Sequence, residues 1–477
     1  MMLTRRSLLS QLVAVAGGSA LAPSLSVAAS LESAPSHNAA LAEQGVHSGA
    51  DRGALPWKNW SGSQLCYPQA RQAPATVDAL QQLVRETQGR IRPVGSGHSF
   101  SALVPTDDTL VSVSRLSGVI DHDAKHHQAT LWAGTRLGDI GAPLAEAGQA
   151  MLNMPDIDEQ TLAGALGTAT HGTGAGIGCL PAFVEGMQMV LANGEVVECD
   201  RNQNADLFNA ARVNLGALGI VTQVRMQNAP LYRLKREMEW LPIDDILQQA
   251  DRLADSHRNF EFYYIPFSGY GFVDVQNITD EPVSTTARLD QNDGAQTLKQ
   301  LRDWLSWTPK VRQLILSSYA KTMDKEVVVA NSWQNYASER NVRFNEMEYH
   351  LPRENMVNAF REIRQLVETK FPEVFFPFEV RYIKSDDIWL SPFYARETCS
   401  IAVHRFYQED YRPLFDAVEP IFRKYHGRPH WGKLNGLNAQ DLKQHYANWD
   451  AFNDIRQQVD PKGKFLNRYL ETLFVAA

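Results

Sequence analysis

The sequence predicts an α+β protein of two domains, and three observations carry that expectation. The chain has 477 residues, more than the roughly 100–200 residues usual for one domain. Hydrophobic residues make up 44% and charged residues 21%, the balance of a soluble globular chain, which excludes collagen, wholesale disorder and a disulfide-dense miniprotein. The texture changes once: short strands and glycine-rich turns run to about residue 230, after which glycine thins out and Trp, Tyr and Phe increase. A boundary therefore falls at residues 228–235 and leaves a domain at 56–230 and another at 231–477. Lys and Arg number 46 against 54 Asp and Glu, a net charge of −8, so binding of a nucleic-acid backbone is not the expected business.

Residues 1–29 are set apart as an export signal. Two arginines, Arg5 and Arg6, precede a broken apolar stretch with no acidic residue, and Ser26-Val27-Ala28 supplies small residues for cleavage. The stretch is too polar for a membrane span. Thr4-Arg5-Arg6-Ser7-Leu8-Leu9 resembles a bacterial twin-arginine signal, with an ordinary secretory signal as the alternative. The expected location is periplasmic or secreted, reached folded through the twin-arginine export machinery. Cleavage removes two positive charges and leaves −10. Residues 30–55, rich in Ala, Ser, Gly and His, read as a flexible linker. Cys66, Cys179, Cys199 and Cys399 form no Cys-x-x-Cys pair, so a structural zinc site is not expected. Four buried thiols are the favoured reading, although an oxidising compartment permits a disulfide.

Each element has its own signal. Thr76 caps a helix that carries Val77, Leu80, Leu83 and Val84 on one face and stops by Gly89. Strands are expected at 91–94, 109–113 and 128–132, and a second helix capped by Thr135 with Leu137, Ile140 and Leu144 inward. Asn193-Gly194 marks a hairpin between 187–191 and 195–198, because both residues tolerate positive φ. Ile220, Thr222, Val224 and Met226 alternate as one face of a strand does. In the second half a helix at 356–370 sits among aromatic strands at 260–264 and 375–383.

Several chemistries are excluded by absent motifs. Gly95-Ser96-Gly97 has Phe100 where the third glycine of a dinucleotide fingerprint belongs, and no Walker loop, His-Glu-x-x-His or Gly-x-Ser-x-Gly elbow occurs. Asp121-His122-Asp123 with His126-His127 reads as a solvated loop, and no metal is assigned. What remains are two glycine-rich turns, Val94-Gly95-Ser96-Gly97-His98-Ser99 and Thr170-His171-Gly172-Thr173-Gly174-Ala175-Gly176. Glycine lets the backbone approach a ligand closely, and successive N–H groups form a nest for anions. Two such turns with no lysine suit an extended ligand carrying a pyrophosphate. Further on, Glu379 and Arg381 lie i, i+2 on a strand and so share a face, among Phe375, Phe376, Phe378 and Tyr382.

On Gly95-Ser96-Gly97-His98-Ser99, Thr170-His171-Gly172-Thr173-Gly174, Glu379-Val380-Arg381 and His430-Trp431-Gly432-Lys433, the chain resembles the vanillyl-alcohol-oxidase superfamily, in its sugar-lactone and alditol oxidase branch. The resemblance implies a two-subdomain FAD-binding domain over 56–230 and an α+β cap domain with an antiparallel sheet over 231–477. It implies FAD contacts from Val94, Gly95, Ser96, Gly97, His98, Ser99, Thr161, Ala169, Thr173, Gly174, Ala175, Gly176, Ile220 and His430. His98 matches the histidine that bonds covalently to the flavin 8α-methyl in many members, and an imidazole nitrogen is a competent nucleophile for that bond. Cys179 does not match a second attachment. Glu379, Arg381 and Lys433 are implied as catalytic, and Thr161, Glu379, Arg381, His404 and Lys433 as facing substrate; His404 is equally readable as a core histidine. The expected activity is oxidation of a CH–OH group of a gulono-, galactono- or arabinono-1,4-lactone by hydride transfer to flavin N5. Electrons then pass to O2 or a redox carrier. An alditol oxidase is the alternative, and a non-catalytic flavin- or sugar-binding protein the alternative of another class.

Overall fold

The structure is a computed structural model that describes residues 55–284, 289–290, 292–305, 308–339 and 342–475. The export signal at 1–29 and all of the proposed linker but Leu55 lie outside the described residues.

Besides a two-stranded antiparallel pair, Trp57–Lys58 with Leu65–Cys66, the first half builds two sheets. Ala70–Gln72, Thr109–Val111 and Ile91–Pro93 form a small parallel sheet with Thr109–Val111 in the middle. A larger antiparallel sheet runs in the order Val196–Asp200, Val184–Val190, Ile220–Pro230, Gln128–Trp132, Val119–Asp123, and Gln149–Met151 pairs with the far end of Ile220–Pro230. The hairpin at Asn193-Gly194 forms with Gly194 at φ 80°. Thr76 caps the helix Val77–Glu86 by accepting from the Ala79 N–H at 3.1 Å. Thr135 does not cap a helix. Its hydroxyl donates to the Trp132 carbonyl at 2.6 Å and accepts from Gly118 N–H. The next turns are 3-10 at Leu137–Asp139, then a short helix Gly141–Glu146.

Besides a two-stranded parallel pair, Leu289–Asp290 with Ser338–Glu339, the second half builds one eight-stranded antiparallel sheet. Its order is Glu326–Asn331, Arg233–Pro242, Tyr270–Thr279, Asn259–Tyr264, Phe378–Ile383, Thr398–Phe406, Phe344–Pro352 and Arg428–Pro429. Period-2 alternation sorts its faces. Phe260, Phe262, Tyr264, Phe378, Met347 and Tyr349 are buried on the face covered by the helices Ile243–Ser256, Met356–Lys370 and Arg412–Lys424. Phe360 of the middle helix meets Phe262 and Tyr264, each at 5.7 Å, and Phe422 stacks on Tyr349 at 4.8 Å. The opposite face carries Glu261, Tyr263, Glu379, Arg381, Glu346, Glu348 and His404 toward the first half. The aromatic strand begins at Phe378 rather than Phe375. Phe375 and Phe376 stack on one another at 4.5 Å in a separate core with Phe344.

All four cysteines are buried and free. Cys179 donates to Asp386 at 3.3 Å, and burial pushes its thiol well above the ordinary range. Among the described residues, no helix is long and apolar enough to cross a membrane.

Candidate active site

A pocket opens between the polar face of the large sheet and the first glycine-rich turn. Its empty space, open mouth included, is about 1350 Å³. Its direction follows the chain. At one end Arg92 donates to the carbonyls of Leu215 and Gly216 at 2.9 and 2.7 Å. At the other, Phe100 N–H donates to the Gly432 carbonyl at 2.7 Å. Val94, Gly95, Ser96, Gly97, His98 and Ser99 line the wall between them, with Thr161 and Ile220. Gly95 is required here: a Cβ would stand 2.3 Å from Thr161 Oγ1. Gly97 has φ 73°, a conformation that favours glycine. A long groove with a backbone wall suits an elongated ligand with a diphosphate in its middle, so the residues present fit FAD.

His98 stacks on Trp60, ring centroids 5.5 Å apart. Burial first, then the charges of Lys433 and Arg136, push its imidazole down to about 4. It is therefore neutral at pH 7, with a lone pair to use.

The second glycine-rich turn behaves otherwise. Ala169, Thr173, Gly174, Ala175 and Gly176 are not among the pocket-lining residues; Thr168, Thr170 and His171 of the same segment are. Thr173 Oγ1 donates to the Phe260 carbonyl and accepts from Tyr382 N–H at 3.3 Å, and Gly174 N–H donates to the Tyr382 carbonyl at 2.7 Å. Its hydroxyl and backbone are thus spent on joining the first half to two strands of the second. Gly172 and Gly174 are small because backbone carbonyls crowd them. A Cβ at Gly172 would lie 2.3 Å from the Met154 oxygen, and one at Gly174 2.8 Å from the Arg258 oxygen.

Glu379, Arg381, His430 and Lys433 all reach the pocket. Arg381 pairs with Glu379, with Asp156 at 2.7 Å and with Glu261 at 3.2 Å. Burial alone would lower its pKa; Asp156 and Glu261 reverse that and hold it well above the usual value. Lys433 Nζ lies 2.5 Å from Glu346, 3.9 Å from Glu348 and 5.2 Å from the centre of the Phe100 ring. His430 Nδ1 accepts from Gly432 N–H at 2.9 Å, and burial drives its imidazole down to about 3. The neutral ring therefore carries its proton on Nε2.

His404 does not line the pocket. Its Nδ1 lies 3.0 Å from the Pro377 carbonyl and its ring packs edge-on to Phe344 at 4.9 Å, with Glu346 3.7 Å away. It supports the carboxylate that holds Lys433. On the pocket wall, His171 Nε2 meets Glu348 at 3.0 Å and Ser400 donates to the same oxygen. Burial opposes ionisation of Glu348, but His171, His430 and Lys433 outweigh it and hold the carboxyl well below its usual range.

Sequence reasoning missed Asp156, Glu346, Glu348, His171 and the Asn214–Gly216 segment, all on the pocket wall. Glu346 and Glu348 carried a usable signal, the same i, i+2 spacing that singled out Glu379 and Arg381. Asp156 carried none; it meets Arg381 across 225 positions of sequence.

Two solved structures share the fold. Cholesterol oxidase from B. sterolicum superposes with a TM-score of 0.72 at 16% identity over 88% of this chain and 96% of that one. A solvent-stable cholesterol oxidase gives 0.73 at 18% over 88% and 98%. A family model described as FAD binding domain matches residues 68–200. Fold and pocket together define a FAD-dependent oxidoreductase with the vanillyl-alcohol-oxidase architecture. A second family model, D-arabinono-1,4-lactone oxidase, matches residues 224–473. The chain belongs to this family of the vanillyl-alcohol-oxidase superfamily. It is 34% identical to L-gulono-1,4-lactone dehydrogenase of Mycobacterium tuberculosis over 87% of this chain and 97% of that protein. It is 30% identical to L-gulonolactone oxidase of Bos taurus over 88% and 98%. Alditol oxidase of a Streptomyces species is a more distant relative, 25% identical over 87% and 98%.

Proposed function

We propose that the protein oxidises a CH–OH group of a sugar-1,4-lactone of the gulono, galactono or arabinono type, with O2 or a redox carrier as final acceptor. The observation that carries this is the convergence of Glu379, Arg381 and Lys433 on the pocket that the Gly95–Ser99 turn lines. The chemistry that FAD supplies when bound is uptake of a hydride from the substrate carbon.

The chain's own residues do the rest. Val94–Ser99, Thr161 and Ile220 hold the cofactor along the groove, and His430 offers its Nε2 proton as a hydrogen bond to it. Lys433 and Arg381 bring two cations to one wall and stabilise negative charge developing on the substrate oxygen, which is worth most in a water-poor site. Glu379, beside Arg381, accepts from a substrate hydroxyl and orients it. Thr161 and Lys433 offer further hydrogen bonds to the sugar ring. His98, neutral at pH 7, would be the residue that attaches the flavin at its 8α-methyl carbon, a C–N bond made with loss of the methyl and imidazole protons and of two electrons that the flavin itself would take up and pass on to O2. The twin-arginine pattern at Thr4–Leu9 supports export of the folded, cofactor-loaded protein to the periplasm or beyond.

The test is an anaerobic panel. Purified holoprotein is mixed with L-gulono-, L-galactono- and D-arabinono-1,4-lactone, xylitol and sorbitol, and the visible flavin band is followed before and after oxygen is readmitted. Bleaching by at least one lactone at lower concentration than by either alditol is expected. Bleaching by the alditols alone would make the protein an alditol oxidase, and none by any would remove catalysis on sugars from the account.

A further inference from the structure

On the polar face of the large sheet, four carboxylates gather around two guanidiniums. Glu261 stands opposite Asp274 on one neighbouring strand and opposite Arg381 on the other. Arg381 also reaches Asp156 and Glu379, while Arg236 holds Asp274 with its Nε at 2.6 Å. Glu261, Asp274 and Glu379 are buried, and Asp156 lies on the pocket wall. With every group ionised this cluster would carry two uncompensated negative charges in a medium that opposes even one.

The hydrogen bonds agree. Tyr263 Oη is 2.7 Å from Asp156 Oδ2 and 3.2 Å from Glu261 Oε1. A phenol has one hydrogen, and the nearer Asp156 takes it. An ionised Glu261 would then set a lone pair against the phenol oxygen. A protonated Glu261 donates instead and completes a chain from Glu261 through Tyr263 to Asp156. Glu261 is the better proton holder of the two carboxylates. It is fully enclosed and faces Asp274, whereas Asp156 borders the pocket and receives Arg381 at 2.7 Å. Burial first, then the charge of Asp156, push the Glu261 carboxyl up to about 8.

We propose that Glu261 is a positioning residue for the oxidation, holding a proton at neutral pH that fixes the orientation of Tyr263 and Asp156 and sets the net charge around Arg381. The kinetic half of this inference rests on the proposed function; the proton itself is a property of the fold. When Glu261 ionises, another negative charge stands 3.2 Å from Arg381 Nε, and Arg381 stabilises charge on the substrate oxygen less well. The groups that face Glu261 are Tyr263 from its own strand, Asp274 and Arg236 from the two strands on one side, Glu379 and Arg381 from the other, and Asp156 from the loop above. Glu348 acts on the cluster through Arg381.

Glu261→Gln tests this, because the amide can still donate to Tyr263 and cannot titrate. A carboxyl raised in the folded state favours folding fully below its unfolded value, and that contribution is lost as pH rises through its folded value. The melting temperature of the wild-type holoprotein should therefore fall from about pH 5 to pH 8 and level off above that, and that of Glu261→Gln should fall much less. For turnover, kcat/KM of the wild type should drop about tenfold to a lower plateau as Glu261 ionises, and the variant should lack this step. Equal melting slopes would overturn the proton, and a missing melting slope with an unchanged rate profile would overturn the positioning role. If no sugar is oxidised, the proposed function fails while the melting comparison still decides the proton. Should the variant not fold, infrared spectra of the wild type decide the same point. A protonated-carboxyl stretch present at neutral pH and lost in alkali is expected, and its absence at neutral pH would contradict the proposal.

Discussion

The two glycine-rich turns look alike as sequence and end up in different places. Gly95–Ser99 lines the pocket, and the close neighbour of Gly95 is the Thr161 hydroxyl, itself on the pocket wall. Gly172–Gly174 is buried against Met154, Arg258 and the strand that carries Arg381, with its hydrogen bonds already taken by Phe260 and Tyr382. A glycine permits close approach; it does not say whether the thing approached is a cofactor or another stretch of chain. The first turn belongs to the site, and the second holds the site's two walls together.

Variants should separate these roles. The largest effect belongs to Gly172→Ala, whose new methyl has no room beside the Met154 carbonyl. It should cost about 3 kcal/mol of stability, read as a shift of the denaturation midpoint, with cofactor retained in the fraction that folds. If its stability matches the wild type, the second turn is not the packed joint described here. His98→Ala acts on the other turn and should do the reverse. Losing the stack on Trp60 costs about 1 kcal/mol, yet the flavin should leave the polypeptide on acid precipitation, where wild-type precipitate stays yellow. Colourless wild-type precipitate would show that the cofactor is held without a covalent bond.

The same contrast marks what was legible beforehand. Local signals survived: the helix at 356–370, the Asn193-Gly194 hairpin and the strand face of Ile220, Thr222, Val224 and Met226 all form. Thr135 misled because its hydroxyl found a carbonyl three residues back instead of a helix terminus. In the site, Glu379 and Arg381 stood out because i, i+2 spacing on a strand is a local property. The partners that set their charge did not. Asp156, Glu261, Glu346 and Glu348 come from other strands and a distant loop, and only the register of the eight-stranded sheet brings them to one face. His404 lay one layer too deep, on the strand beside Glu346 rather than on the pocket wall.

The central claim is that cations from the second half act on a substrate oxidised beside a cofactor held by the first. Lys433→Ala examines it most directly, through the anaerobic rate at which L-gulono-1,4-lactone bleaches the flavin under single-turnover conditions. Rates about 100-fold below wild type, or about 2.7 kcal/mol of lost transition-state stabilisation, are expected at unchanged flavin content. A variant that carries a full complement of flavin and is reduced as fast as the wild type would contradict the account.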